Sequence, residues 1–358
     1  MDERLAPLRE RIDALDAQLL ELLSERARVA QAVGEIKREL ALPVYRPERE
    51  AQVRDRLLAR NHGPLPGPAI EAIWREVMSA CRELERRLRV AYLGPAGTFS
   101  EQALRLHFGE GVDAVAMQRF DDVFHAAEAG TVDYGVVPVE NSAEGAVNRN
   151  LDLLLATPLK ICGEVSLAVA HNLLTRSGTL EGVSRVCAHP QALAQCAGWL
   201  DRHAPHLKRE PVSSNAEGAR IAADDPGAAG IASMLAANRW GVQPVARNIQ
   251  DDPHNRTRFI VLGANDCAPS GDDQTSLILS VPDRAGAVHA LIEPLARHGV
   301  SMKRFESRPA RQEGSWAYHF HIDLLGHRDD AHVAPALQEL RDKAAFFKLA
   351  GSYPRARN

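Results

Sequence analysis

An arginine where a leucine is due is the first chemical signal in this chain. Leu8, Ile12, Leu15, Leu19, Leu22, Val29, Val33 and Ile36 step by alternating threes and fours, as the seam of one long helix does. Arg26 occupies that seam, and Arg9 and Lys37 each directly follow a seam residue. A buried cation with no anion beside it is costly, so something negative must meet these groups. Two partners fit: an acid of the same protein, such as Glu50, or a bound anionic ligand.

A second set of reactive side chains falls at strand ends. Val136, Val137, Pro138 and Val139 read as a buried strand emptying into Glu140, Asn141 and Ser142, followed by Gly145 and then Val147, Leu151 and Leu154 at helical spacing. The polar triplet is expected in a strand-to-helix turn, where open α/β sheets bind ligands. Other apolar runs end similarly. One leads into Gly94, Pro95, Ala96, Gly97, Thr98, Phe99, Ser100 and Glu101, with Thr98 and Glu101 at capping-box spacing. Others lead into His189, Pro190 and Gln191, into Ser213, Ser214, Asn215, Ala216 and Glu217, and into Ser233. One such junction alone is a helix cap. Several converging on one crevice would offer backbone N–H groups and helix N-termini to anions. Thr257 and Arg258, just before the apolar Phe259, Ile260, Val261 and Leu262, fit a hydroxyl beside a carboxylate clamp facing that crevice; the alternative is an exposed polar pair at a strand start.

These residues need elements to hold them. A chain of 358 residues suggests two or three domains. With 25% charged residues and a formal charge of −4, nothing argues for nucleic acid or a membrane as partner. The charged, amphipathic N-terminus lacks the apolar core of a signal peptide, and the five scattered cysteines read as buried thiols of a reducing cytoplasm. After the seam helix, Pro43 to Pro47 break the pattern; further helices are expected over 48–59 and 69–87, separated by the Gly/Pro-rich stretch 63–68. Helices this long and thin cannot close a core within one chain, so an interlocked homodimer is expected.

From Arg89 short apolar runs alternate with helices, the signature of a parallel sheet, with a second lobe inserted at about 166–242. After a linker at 265–274 the expected order is strand 276–281, helix 287–298, strand 300–308, strand 317–325, helix 331–344 and strand 346–352, a ferredoxin-like arrangement. Phe305, Trp316, Tyr318 and Phe320 alternate as packed sheet residues should. The domains expected are thus 1–88, all-α; 89–265, α/β; and 275–352, α+β.

The stretch LRERIDALDAQLLELLSERARVAQAVGEIK followed by YRPERE resembles the all-helical chorismate mutases. That resemblance implies a dimeric site in which cations from both subunits hold chorismate, a dicarboxylate. By position these are Arg9, Arg26, Lys37 and Arg49, Arg49 acting across the dimer, with Glu50 accepting from the substrate hydroxyl. Glu85 aligns with the family's ether-binding glutamine, one turn after Cys81, a further binding candidate. A carboxyl donates to an ether oxygen only when protonated, so mutase turnover is expected to fall with rising pH. Arg46 stands where many relatives carry an acid.

GPAGTFSEQA, VPVENSAEGAVN and TRF, in this order, are similar to the marks of prephenate dehydratase. The fold implied is two Rossmann-like lobes resembling type II periplasmic binding proteins. Thr257 is implied as the residue closest to catalysis, with Arg258 and Phe259 beside it; Thr98, Ser100, Glu140, Asn141, Ser142 and Ser213 are the implied cleft residues. Prephenate loses its ring hydroxyl and a carboxylate together, so help for the departing hydroxide is the main requirement. Thr257 is expected as a positioned donor, relaying from water or from Glu140.

Gly286, Ala287, Val288 and His289, with Glu306, Ser307, Arg308 and Pro309, resemble the paired motifs of the ACT domain, which implies phenylalanine bound between subunits as a feedback effector. The combined expectation is a cytoplasmic, homo-oligomeric bifunctional enzyme of phenylalanine biosynthesis that needs no cofactor or metal. Two other readings stay open: a dehydratase whose helical part only dimerises, and a non-catalytic amino-acid sensor.

Overall fold

A computed structural model describes residues 3–281, 284–309 and 318–356. The chain divides into two compact units, Met1–Leu88 with Phe108–Asp113, and Arg89–His107 with Ala114–Asn358.

The first unit is helical: α1 (Ala6–Glu39), α2 (Pro47–Arg60) and α3 (Gly67–Glu85), each with a proline in its first turn, where the missing N–H costs nothing. Within α1 only Gly34 is buried. A β-carbon there would come 2.7 Å from Glu85 Cγ, so α1 and α3 approach this closely only because residue 34 is glycine. The seam of α1 stays uncovered, from 41% exposed at Leu15 to 62% at Leu22.

In the second unit the strands β1 (Leu88–Leu93), β2 (Val112–Met117), β3 (Tyr134–Asn141), β4 (Gly145–Ala146), β5 (Lys160–Ala168), β6 (Asn172–Thr175), β7 (Arg185–Ala188), β8 (Lys208–Pro211), β9 (Ala228–Ala232), β10 (Gln243–Ala246) and β11 (Arg256–Gly263) build two sheets. The first has the order β2-β1-β3-β11-β5 with β4 on β3, the second β10-β6-β9-β7-β8. Helices α4 (Phe99–Phe108), α5 (Phe120–Glu128), α6 (Asn148–Ala156), α7 (Pro190–Gln195), α8 (Ala197–His203), α9 (Asn215–Asp224) and α10 (Met234–Trp240) connect them. The first sheet is mixed, not parallel as expected: β1 and β3 are parallel, but β11 runs antiparallel to both β3 and β5, because the chain returns from the second sheet. A second difference lies at Glu140 and Asn141. They belong to β3 and turn through a tight hairpin into β4, and α6 starts only at Asn148, so the polar residues are strand residues and not a strand-to-helix turn.

The C-terminal sheet β13-β14-β12-β15 comprises β12 (Asp273–Ser280), β13 (Met302–Pro309), β14 (Tyr318–Leu325) and β15 (Phe346–Pro354), backed by α11 (Ala287–Arg297) and α12 (Val333–Lys343). Leu277, Leu279, Leu291, Phe320, Ile322 and Leu340 fill the layer between sheet and helices. Phe305 packs on Phe320 at 5.0 Å. Trp316, and the start of its expected strand at Ala317, lie outside the described residues. The opposite face of this sheet lies on the first sheet, β15 against β5. At Gly351 a β-carbon would come 2.2 Å from Ile161 O, a backbone approach that only glycine permits.

Candidate active and effector sites

A cavity of about 510 Å³ opens between the first two sheets, lined by Ser100, Pro138, Asn141, His171, His189, Gln191, Gln195, Asn215, Thr257 and Phe259 among others. Helix N-termini converge on it: Phe99 and Ser100 open α4, His189 caps α7 through Nδ1, and Asn215 opens α9. None of the lining residues is an arginine or lysine, so anion binding here falls to helix N-termini and backbone amides.

Strand geometry decides which expected residues reach this cavity. Thr257 and Asn141 are paired across β11 and β3, and Asn141 Nδ2 donates to Thr257 Oγ1 at 2.8 Å. Side chains alternate along β11, so Thr257 and Phe259 line the cavity while Arg258, between them, points to the opposite face. The expected carboxylate clamp is therefore absent from the cleft. Arg258 instead pairs with Glu164 at 2.8 Å and with Asp323 of β14 at 2.5 Å, and donates to Tyr353 of β15. A bulge acts similarly on β3. Arg258 pairs with Glu140 but Phe259 with Pro138, leaving Val139 as the extra residue. Pro138 and Asn141 line the cavity, whereas Glu140 is turned away and meets Arg304 of β13 at 3.1 Å. Glu140 therefore does not face Thr257, and the expected relay through it is overturned.

Other expected cleft residues have local duties. Thr98 Oγ1 donates to Leu93 O, and Glu101, instead of completing a box with Thr98, accepts from Gly97 N at 2.7 Å. Ser142 Oγ accepts from Arg256 N and closes the end of the hairpin; Ser213 is exposed outside the cavity lining, where Ser214 caps α9. Arg256 reaches Ser166 on β5 and does not enter the cleft lining.

An ordered chain of amides runs along the cavity wall, and only Asn141 in it was expected. Asn141 Oδ1 accepts from the backbone N–H groups of Ala143 at 2.9 Å and Glu144 at 3.2 Å, which fixes its amide and leaves Nδ2 to donate to Thr257 and to Asn255 Oδ1. Asn255 Nδ2 then donates to Gln195 Oε1, which lies 2.9 Å from His171 Nε2. Burial holds His171 below the usual imidazole range. Two sequence signals point to this chain: Asn255 precedes Thr257 by two, the same strand face, and Gln195 follows Gln191 by one helical turn.

In the helical unit, Lys37 pairs with Glu85 at 3.0 Å and donates to Val44 O, while Arg26 meets the buried Cys81 Sγ at 2.8 Å. Among the described residues no carboxylate pairs with Arg26. Glu50, expected as a partner for the seam cations, pairs with Arg82, a buried arginine missed in the sequence that also donates to Phe108 O and sits over the Tyr45 ring at 5.1 Å. Arg46 pairs with Glu48 at 2.7 Å. Arg9 and Arg49 are exposed.

The C-terminal motifs occupy a helix start and an edge strand. Gly286, at φ 77°, caps α11, with Ala287 buried and Val288 exposed. Along β13, Arg304, Glu306 and Arg308 alternate with the more exposed Phe305, Ser307 and Pro309. Arg308 reaches Asp152 of α6 at 2.9 Å, so part of the expected effector motif faces the α/β sheet. His321, beside Arg304, is pushed down to about 4 by burial and then by that arginine. Lys348 donates to Leu154 O at 2.7 Å and Leu155 O at 3.0 Å, in the last turn of α6, and burial followed by Lys160 lowers it to about 8.

Fold and cleft together define a two-lobed α/β ligand-binding protein carrying a helical unit and a ferredoxin-like sheet. Family models agree piece by piece: chorismate mutase type II matches residues 8–86, prephenate dehydratase residues 90–267 and the ACT domain residues 275–342. The bifunctional chorismate mutase/prephenate dehydratase of Neisseria gonorrhoeae is 50% identical over 359 residues, covering 99% of this chain and 98% of that protein. Its namesake from Pseudomonas aeruginosa is 44% identical over 360 residues, covering 99% and 98%. Among solved structures, prephenate dehydratase from Arthrobacter aurescens in complex with L-Phe superposes with a TM-score of 0.69 at 33% identity, covering 75% of this chain and 90% of that one. The chain belongs to the bifunctional chorismate mutase/prephenate dehydratase family.

Proposed function

We infer that this protein rearranges chorismate to prephenate in its helical domain and converts prephenate to phenylpyruvate in the cleft, under feedback control by phenylalanine. The observation that carries this reading is the end-to-end family match combined with a cleft that joins converging helix N-termini to an oriented threonine hydroxyl. The domains we assign are 1–88 for the mutase, 89–265 for the dehydratase with a second lobe at about 166–242, and 275–352 for regulation.

The mutase reaction is pericyclic, so the protein holds a compact conformer and stabilises charge developing on the ether oxygen. Arg26 suits a substrate carboxylate because its partner within the chain is the Cys81 sulfur and, among the described residues, no carboxylate pairs with it. The seventeen residues from Arg9 to Arg26 span roughly 26 Å of helix at 1.5 Å each, too far for one small ligand. Arg9 therefore serves the site of a second copy, as does Arg49, and the uncovered seam of α1 is what that copy covers, giving a homodimer or higher oligomer. Lys37, Glu50 and Glu85 complete the site; the ion pair of Glu85 with Lys37 at 3.0 Å favours its carboxylate form, so the protonated donor expected from the sequence is replaced by Glu85 positioning Lys37.

In the dehydratase, helix N-termini hold the carboxylates of prephenate. Thr257 Oγ1 already accepts from Asn141, so its own proton is free to point at the leaving oxygen. As the C–O bond breaks, the electrons of the departing carboxylate enter the ring; the oxygen leaves as water with a proton relayed through Thr257 from solvent. For regulation, the ACT sheet grips the cleft wall at Arg304–Glu140, Arg308–Asp152 and Lys348 on α6. Phenylalanine bound at Gly286, Ala287, Val288 and the Glu306 to Pro309 edge shifts that grip. No helix among the described residues is long and apolar enough to cross a membrane, and the five cysteines are free and buried, which supports a cytoplasmic enzyme.

Purified protein supplied with chorismate alone should accumulate phenylpyruvate, and phenylalanine should slow it. Chorismate left unchanged together with tight phenylalanine binding would instead mark an amino-acid sensor.

A further inference from the structure

His171 is 2% exposed, yet its Nδ1 has no partner among the described residues and the side chain lines the cleft. Which nitrogen carries the proton follows from the amide chain. Backbone N–H groups of Ala143 and Glu144 fix Asn141, Asn141 fixes Asn255, and Asn255 donates to Gln195 Oε1. That oxygen can only accept, so His171 Nε2, 2.9 Å away, donates to it. Burial keeps the ring neutral, so Nδ1 presents a bare lone pair. Leaving a buried acceptor unpaired is costly, which makes this atom a standing demand for a donor.

Resting on the dehydratase reading, we propose that His171 Nδ1 accepts the ring hydroxyl of prephenate, making His171 a binding and orienting residue of the cleft. The assignment follows by elimination over the substrate's polar groups. Two carboxylates and a keto oxygen only accept hydrogen bonds, and a lone pair repels them. The ring hydroxyl is the one donor, and it is also the group that leaves. Held by His171 through its hydrogen, it turns an oxygen lone pair toward the Thr257 hydroxyl. One amide chain therefore sets both ends of the grip: Asn141 makes Thr257 a donor, and Gln195 makes His171 an acceptor. Asn255 and Gln195 are positioning residues in this scheme.

The test is steady-state turnover of prephenate by full-length His171→Phe and His171→Asn proteins. Asparagine carries its amide oxygen close to the place of Nδ1, whereas phenylalanine keeps the edge-to-face ring contact with Phe99, whose centroid lies 5.5 Å away, and removes the acceptor. His171→Phe should lose about tenfold to hundredfold in kcat/KM, and His171→Asn should recover most of it. Both should bind phenylpyruvate, which has no ring hydroxyl, as wild type does, and both should keep full mutase turnover. If His171→Phe does not fold, His171→Leu replaces it. Wild-type kcat/KM in the acceptor-free variant would overturn the proposal, as would equal losses in both variants with weakened phenylpyruvate binding. Wild-type protein that leaves prephenate untouched would refute the dehydratase reading itself.

Discussion

Gly34→Ala separates stability from mutase chemistry within the helical domain. The added methyl would sit 2.7 Å from Glu85 Cγ, 3.2 Å from its Cβ and 3.3 Å from its Cδ, so the middle of that side chain must move, not merely its tip. Overpacking of this kind costs about 1–3 kcal/mol. Alanine in a helix interior returns about 1 kcal/mol relative to glycine. The net loss of stability is therefore modest, roughly 0–2 kcal/mol, which for a helical unit of this size is a drop of about 0–15 °C in its Tm. Activity has no such compensation. Glu85 holds Lys37 at 3.0 Å, and moving a catalytic group by about 1 Å costs up to about a hundredfold. Following chorismate consumption and prephenate turnover separately in the same preparation, mutase kcat/KM should fall about tenfold to hundredfold while dehydratase kcat/KM stays within about twofold. Undiminished mutase turnover would refute the placement of Lys37 and Glu85 in the site.

Three further outcomes are expected. Replacing Glu85 by Gln removes the charge that holds Lys37 at 3.0 Å and should lower mutase kcat/KM while dehydratase turnover stays within about twofold; unaltered mutase turnover would refute a role for that pair. His321 is lowered from 6.5 to about 4 on folding, so the unfolded chain takes up the proton first; stability is intact above about pH 6.5, declines as pH drops towards 4 and levels off below, by roughly 3 kcal/mol in all. Denaturant titrations should show that decline reduced in His321→Gln, and an identical decline in both proteins would contradict it. Finally, Arg304→Met should leave dehydratase turnover within about threefold yet weaken inhibition by phenylalanine about tenfold or more, since it severs the Glu140 link; unaltered inhibition would exclude that route.

What the sequence shows and hides follows the range of the forces involved. The seam of α1, the capping serines Ser214 and Ser233 and the alternating strand β13 are set by local sequence and are legible. So are the residue types of the cleft, because each polar junction stands at the end of an apolar run. Side-chain direction is another matter. Thr257 and Arg258 are neighbours on a strand and must face opposite ways, and the bulge at Val139, which turns Glu140 aside, depends on pairing with a strand more than a hundred residues away. Arg82 was hidden because its stabilising partners, Glu50 and Phe108 O, come from other elements. His171 was hidden because its meaning lies in an unpaired atom at the end of a chain of amides drawn from distant strands and helices.

The most direct measurement supplies chorismate to wild type, Arg26→Ala and Thr257→Val and follows prephenate and phenylpyruvate together. Wild type should deliver phenylpyruvate through prephenate. Arg26→Ala should stall at chorismate yet still convert added prephenate, and Thr257→Val should accumulate prephenate. Full mutase turnover in Arg26→Ala, or phenylpyruvate at the wild-type rate from Thr257→Val, would contradict the assignment of two chemistries to these two sites.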